Sequence, residues 1–140
     1  GMSPQSPQAA WTARRFFDLL STLGSLRVIS VCGPSVFEAI CDFDGYDVRG
    51  GMINAITDAY HWHFQIARLG HLHSHDTIHK RSGRRVLFFE LREDEDSDPF
   101  LRIYLYRPAQ SDFAAESESH FAVAHAELGD GAIVEKESPE

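Results

Sequence analysis

Cysteine is scarce: the chain has two, Cys32 and Cys41, without the Cys-x-x-Cys spacing of a zinc or redox site. No structural disulfide is expected in an apparently cytosolic chain, so both thiols read as small buried hydrophobes. No apolar run approaches the roughly 20 residues that a membrane-spanning helix needs. No charged segment followed by an apolar core marks a signal peptide. A cytoplasmic location without membrane insertion is therefore expected. Positive charge is also in short supply: 13 Lys and Arg stand against 21 Asp and Glu, a formal net charge of −8. That balance argues against a nucleic-acid partner, which would call for a basic face. There is no nucleophile elbow and no paired-carboxylate signature. Gly50 and Gly51 do not match a dinucleotide fingerprint.

What is present fits one domain. The 140 residues, 43% of them hydrophobic and 11% aromatic, can bury a substantial core. Ser6-Pro7 reads as a helix start, and Trp11, Phe16, Phe17, Leu20 and Leu23 recur at helical spacing before Gly24. The pattern predicts a helix over residues 8–22. Strands are predicted over residues 26–31, 35–42, 48–56, 60–66, 70–76, 85–92 and 100–107, with short turns between them. Gly50-Gly51 reads as a bulge or a close approach inside one strand. A second helix is predicted over residues 112–127. The fold class is α+β: an antiparallel meander sheet of about seven strands, flanked by N- and C-terminal helices. Residues 1–128 form the domain, and residues 129–140 read as an acidic tail that frays.

Six of the eight histidines fall between His61 and His79. Alternate strand residues share a face, so His61 and His63 form one set and His71, His73 and His75 another. A hairpin turning near Arg68 would set His63 opposite His73 and His61 opposite His75. Such a face can bind a transition metal directly or supply an axial ligand to haem iron; the bland alternative is a solvated surface rich in histidine. Tyr60 and Cys41 are rival ligands. His-x-His also opens a cupin motif, but Asp76 and His120 are poor substitutes for its remaining ligands. Lys80, Arg81, Arg84 and Arg85 follow the histidines, either as a solvated loop or as a clamp for carboxylates.

The ordered set FFDLLSTLG, LRVISVCGPSVFEAICDF, VRGGMINAI, HWHFQIARL, VLFFEL and LRIYLYR resembles the intracellular haem-utilisation family of the HutX/ChuX type, and one half of the longer HemS-like proteins. The likeness covers roughly residues 16–107, with Arg49-Gly50 and His61–His63 among its more specific parts. The resemblance implies an antiparallel sheet with flanking helices, a homodimer, and haem binding in the cytoplasm for storage, delivery or breakdown. Carriage rather than catalysis is the expected role, with a haem acceptor or a haem-degrading protein as partner. It implies His61 or His63 as the candidate iron ligand and places His79 at an aromatic position of the family. Haem propionates would pair with Arg84 and Arg85, and the macrocycle would lie on Trp62 and phenylalanines.

The strand after His-x-His departs from the family, being small and apolar there and HLHSH here. That departure carries the alternative: a histidine-rich non-haem metal-binding protein or metalloenzyme, with His61, His63, His71, His73 and His75 as ligands to a divalent transition metal. A third reading is a dimerisation module that binds no ligand.

Overall fold

The computed structural model describes residues 10–137. The first helix, α1 (Ala13–Leu20), is shorter than its periodicity predicts. Thr12 is the reason: its hydroxyl accepts from the Arg15 amide and caps the helix there. Ala10 and Trp11 precede the helix outside any regular element, and the predicted Ser6-Pro7 start lies outside the described residues. Phe16, Phe17 and Leu20 are the buried face of α1.

The strands are β1 (Ser25–Cys32), β2 (Ser35–Asp42), β3 (Asp47–Arg49), β4 (Met52–Ile56), β5 (His61–Gln65), β6 (His71–Ile78), β7 (Arg85–Arg92), β8 (Leu101–Leu105) and β9 (Ala132–Ile133). The second helix, α2 (Ala115–Leu128), lies between β8 and β9. The strands pair antiparallel, as expected, with one isolated parallel bridge between Thr12 and Glu135, but they make two sheets. Six strands run in the order β2-β1-β8-β7-β6-β9, and three run β3-β4-β5. The single strand predicted over residues 48–56 is a hairpin. Gly50 and Gly51 both take positive φ, +60° and +73°, at its two-residue turn, the conformation that suits the twist of paired strands.

The predicted histidine hairpin does not form. β5 pairs with β4, placing Asn54 opposite His63 and Ile56 opposite His61. Thr57 drives this turn: its hydroxyl accepts from the amides of Ala59 and Tyr60 at 3.2 and 3.0 Å. A 3₁₀ turn over Ile66–Arg68 then carries the chain into the large sheet. There β6 pairs with β7, placing Glu90 opposite His73 and Phe88 opposite His75.

Both helices cover one face of the six-stranded sheet, where the Phe89 ring meets Phe16 and Phe121, each at 5.1 Å. Phe17 points the other way, to Phe43, Trp62 and Phe64, at 6.0, 5.4 and 5.2 Å. The described residues after Gly129, 130–137, do not fray as their composition suggests, and the rest of the expected tail lies outside the described residues. β9 pairs with β6, Val134 is buried, and the Val134 and Glu135 amides donate to the Gly70 and Trp11 carbonyls at 2.9 and 2.8 Å. Val134 and Ala132, a short ladder and the Lys136 and Glu137 side chains hold an acidic segment that local charge alone would leave in solvent.

Phe17→Ala should lower unfolding stability by about 3–5 kcal/mol, because a fully buried ring leaves a cavity. Urea unfolding measures it; a loss under about 1 kcal/mol would mean that Phe17 does not join the sheets.

Candidate functional site

Strand alternation gives the six-stranded sheet two chemically different faces. On the helix side, β1 and β2 present Val28, Ser30, Phe37, Ala39 and Cys41 toward a cavity of about 460 Å³. β5 closes it from the small sheet with His61, Trp62, His63 and Phe64, joined by Tyr60, Phe100 and Leu101. The Phe64 and Phe100 rings stack at 5.9 Å on one wall. This volume, with a mainly apolar lining and a few polar groups, suits a small organic ligand.

His63 sits at this cleft with a defined tautomer. Asn54, its partner across β4, donates its amide nitrogen to the Met52 carbonyl at 3.3 Å. The Asn54 Oδ1 atom therefore faces His63 and accepts from His63 Nδ1–H at 2.7 Å. With Nδ1 protonated, Nε2 carries the lone pair, the arrangement that orients a metal-ligating histidine. The His61 ring lies edge-to-face to it at 6.1 Å.

The rival ligands are poorly prepared. Burial, aided by Cys41, Asp44 and Asp42, raises the Tyr60 phenol above its ordinary pKa, and its hydroxyl donates to the Asp42 carbonyl at 2.8 Å. Burial and then Asp42 raise the Cys41 thiol, keeping it protonated. Both cysteines are free thiols; Cys41 is buried as expected, whereas Cys32 is exposed beside the β1–β2 turn.

The remaining predicted residues are elsewhere. His79, Arg84 and Arg85 line a different cavity of about 450 Å³ with Arg27, Glu38, Tyr104 and Arg107. Arg27 and Glu38 alternate with the cleft residues Val28, Phe37 and Ala39, so this cavity opens on the sheet's other face. The His61 and His63 imidazoles and the expected propionate clamp thus line different cavities, and of the three expected imidazoles His79 alone lines the cavity of Arg84 and Arg85. Arg85 is also engaged: it donates to both Asp76 oxygens at 2.9 and 2.7 Å and to Glu118 at 2.8 Å. The His79 Nδ1 atom meets the Ser82 hydroxyl at 3.1 Å inside the β6–β7 turn.

The five histidines expected to act as one metal set are likewise divided. His61 and His63 belong to the small sheet. His71 is buried under Gly131, where a Cβ would come within 2.8 Å of its Nε2. His73 and His75 remain together beside Glu90 on the face away from the helices. Burial first, then His75, lowers the His73 pKa and favours its neutral form. Burial raises the Glu90 pKa, but hydrogen bonds from His75, Arg102 and Arg92 outweigh it and leave the carboxylate ionised.

Asn54, Phe37, Phe100 and Glu90 were missed by sequence reasoning. Cross-strand pairing of β4 with β5 across the Thr57 turn would have found Asn54. Glu90 needed the β6–β7 register.

No protein-family model matches the chain, and no curated protein matches it either. Solved structures do. One is described as the heme-binding protein ChuX: TM-score 0.67, 16% identity, with 84% of this chain and 73% of that one covered. A protein from Erwinia carotovora matches at TM-score 0.68 and 18% identity, over 84% and 74% of the two chains. One from Agrobacterium tumefaciens matches at 0.66 and 17%, over 83% and 68%. The fold is therefore of the ChuX type. Among the described residues no helix is long and apolar enough to cross a membrane.

The Asp76 carboxyl is held below its ordinary pKa, first by the Arg85 hydrogen bond. A depressed folded value stabilises the protein above the unfolded value, near 4, and that contribution is lost as pH falls through the folded value. Arg85→Ala should cost about 0.5–1 kcal/mol at pH 7, because the pair is partly exposed. The difference from the parent should shrink below about pH 4. Urea unfolding at both pH values checks this; an undiminished difference at low pH would exclude the pair as its source.

Proposed function

We propose that the protein binds haem in the cleft between β5 and the β1–β2 end of the large sheet, with His63 as the axial ligand. The orientation of His63 carries this reading: Asn54 holds Nδ1–H at 2.7 Å and leaves Nε2 for iron, beside an aromatic cleft. The ChuX-type fold supports it, since a neighbour of that fold is described as a heme-binding protein. Trp62, Phe37, Phe64 and Phe100 would hold the macrocycle and exclude water. Bound haem would supply a Lewis-acidic iron. The proposed role is carriage in the cytoplasm, with delivery to a haem acceptor or a haem-degrading protein. The lining contains no Lys or Arg, so binding should depend only weakly on salt, unlike binding to a propionate clamp.

The proposal includes a homodimer. β2 is an uncovered edge strand, and Val36, Phe37 and Ile40 on it are 62%, 69% and 46% exposed. An apolar free edge invites pairing with another chain. Sedimentation should find a dimer at micromolar concentration; monomer alone would contradict it.

Haem titration followed at the Soret band tests the site. His63→Ala should lose the most affinity among His61→Ala, His63→Ala and His79→Ala. His61 stands near enough to substitute, so His61→Ala/His63→Ala should abolish the ligated spectrum. Asn54→Ala should weaken binding about 10–100-fold, the usual effect of removing a partner that orients a ligand. His79→Ala, Arg84→Ala and Arg85→Ala should leave affinity unchanged. A parent spectrum in the double histidine variant would overturn the reading, as would a loss caused by Arg84→Ala, which would move haem to the other face.

A further inference from the structure

The His-Leu-His-Ser-His run of β6 is not used by the haem cleft, and two of its histidines face a carboxylate. We propose that His73, His75 and Glu90 form a divalent transition-metal site on the face of the six-stranded sheet that the helices leave uncovered. The site is independent of the haem reading.

The geometry comes from strand register. His73 and His75 are two residues apart on β6 and so share a face, while Glu90 of β7 lies directly opposite His73. Donor atoms from the three side chains all lie within 4.8 Å of one another. The two imidazoles are 4.3 Å apart between ring centroids. His75 is held by stacking on Phe88 at 4.5 Å, and Phe88 stacks in turn on Tyr104 at 4.5 Å. Glu90 is only 8% exposed. Among the described residues, the His73 ring nitrogens take no hydrogen-bond partner, so this side chain has no structural bond to give up.

Two imidazoles and a carboxylate are a donor set for zinc and its first-row neighbours, and three protein ligands leave a position open. The His75 Nε2 atom now lies 2.7 Å from Glu90 Oε1. There Nε2 carries the proton that the carboxylate accepts, so a metal would bind Nε2 only as that proton leaves, moving to Nδ1 in the neutral ring or from the imidazolium to solvent. Arg102 and Arg92 oppose the ion. Their guanidinium groups contact Glu90 at 3.1 and 3.2 Å, so they compete for the carboxylate and repel a dication. Removing Arg102 should therefore tighten binding, an effect with the opposite sign from that of losing a structural ion pair.

Co²⁺ titration of the full chain in a His61→Ala/His63→Ala background isolates the site, with visible absorption reporting coordination and calorimetry giving stoichiometry. One Co²⁺ per chain is expected. His73→Ala and Glu90→Gln should each weaken uptake at least tenfold, and Arg102→Ala should strengthen it several-fold. Glu90→Gln keeps the side-chain shape, and circular dichroism verifies the fold of each variant. With His61 and His63 intact, His73→Ala should leave the haem titration unchanged, so failure here is separable from failure of the cleft. Absence of Co²⁺ uptake, uptake unchanged in His73→Ala or Glu90→Gln, or affinity not raised by Arg102→Ala would each overturn the proposal.

Discussion

The contact on which the rest depends is that of Phe17 with the aromatic residues of the small sheet. Phe16 and Phe17 are adjacent on one short helix, with ring planes 84° apart. Phe16 seats on Phe89 of the large sheet, and Phe17 seats among Phe43, Trp62 and Phe64. One turn of helix thereby fixes the small sheet against the large one. The cleft beside β5 exists because this wedge sets the separation. Edge-to-face pairs each add about 0.5–1.5 kcal/mol beyond area burial, and their geometry restricts how the sheets can tilt.

From that wedge follows a division of chemistry by face. Period-two alternation sends Val28, Phe37 and Ala39 to the cleft and Arg27 and Glu38 to the opposite surface. Membership of different sheets separates His63, at the cleft, from His73 and His75, beside Glu90. A ligand that needs an apolar wall and one imidazole is served on one side. An ion that needs several donors is served on the other. Polar groups on each side have local partners: Asn54 for His63, and Arg102 and Arg92 for Glu90. That is how an imidazole and a carboxylate are held in fixed geometry on exposed and half-buried strands.

Local patterns were legible, and pairing between distant segments was not. Alternation in residues 35–42 foretells β2 to the residue, and the apolar run of residues 85–92 foretells β7. The ordered motifs led to the fold type later found among solved structures. The histidine hairpin does not form, because proximity in sequence does not decide pairing. Thr57 gives β5 a nearer partner in β4, and the turn at Ser82 gives β6 one in β7. Arg85 was legible as a cation but not as an engaged one, since Glu118 approaches from a helix more than thirty residues away. Charge does not foretell the order of residues 130–137, because Val134 and Ala132 pack on the core and Lys136 donates to the Ala67 carbonyl.

The most direct test is a crystal structure of the chain with haem bound. The account predicts iron at bonding distance from His63 Nε2, the Asn54–His63 hydrogen bond retained, and the macrocycle between Phe37 and Phe100. Haem bound instead on the His79–Arg84 face, or iron ligated by Tyr60 or Cys41, would contradict it.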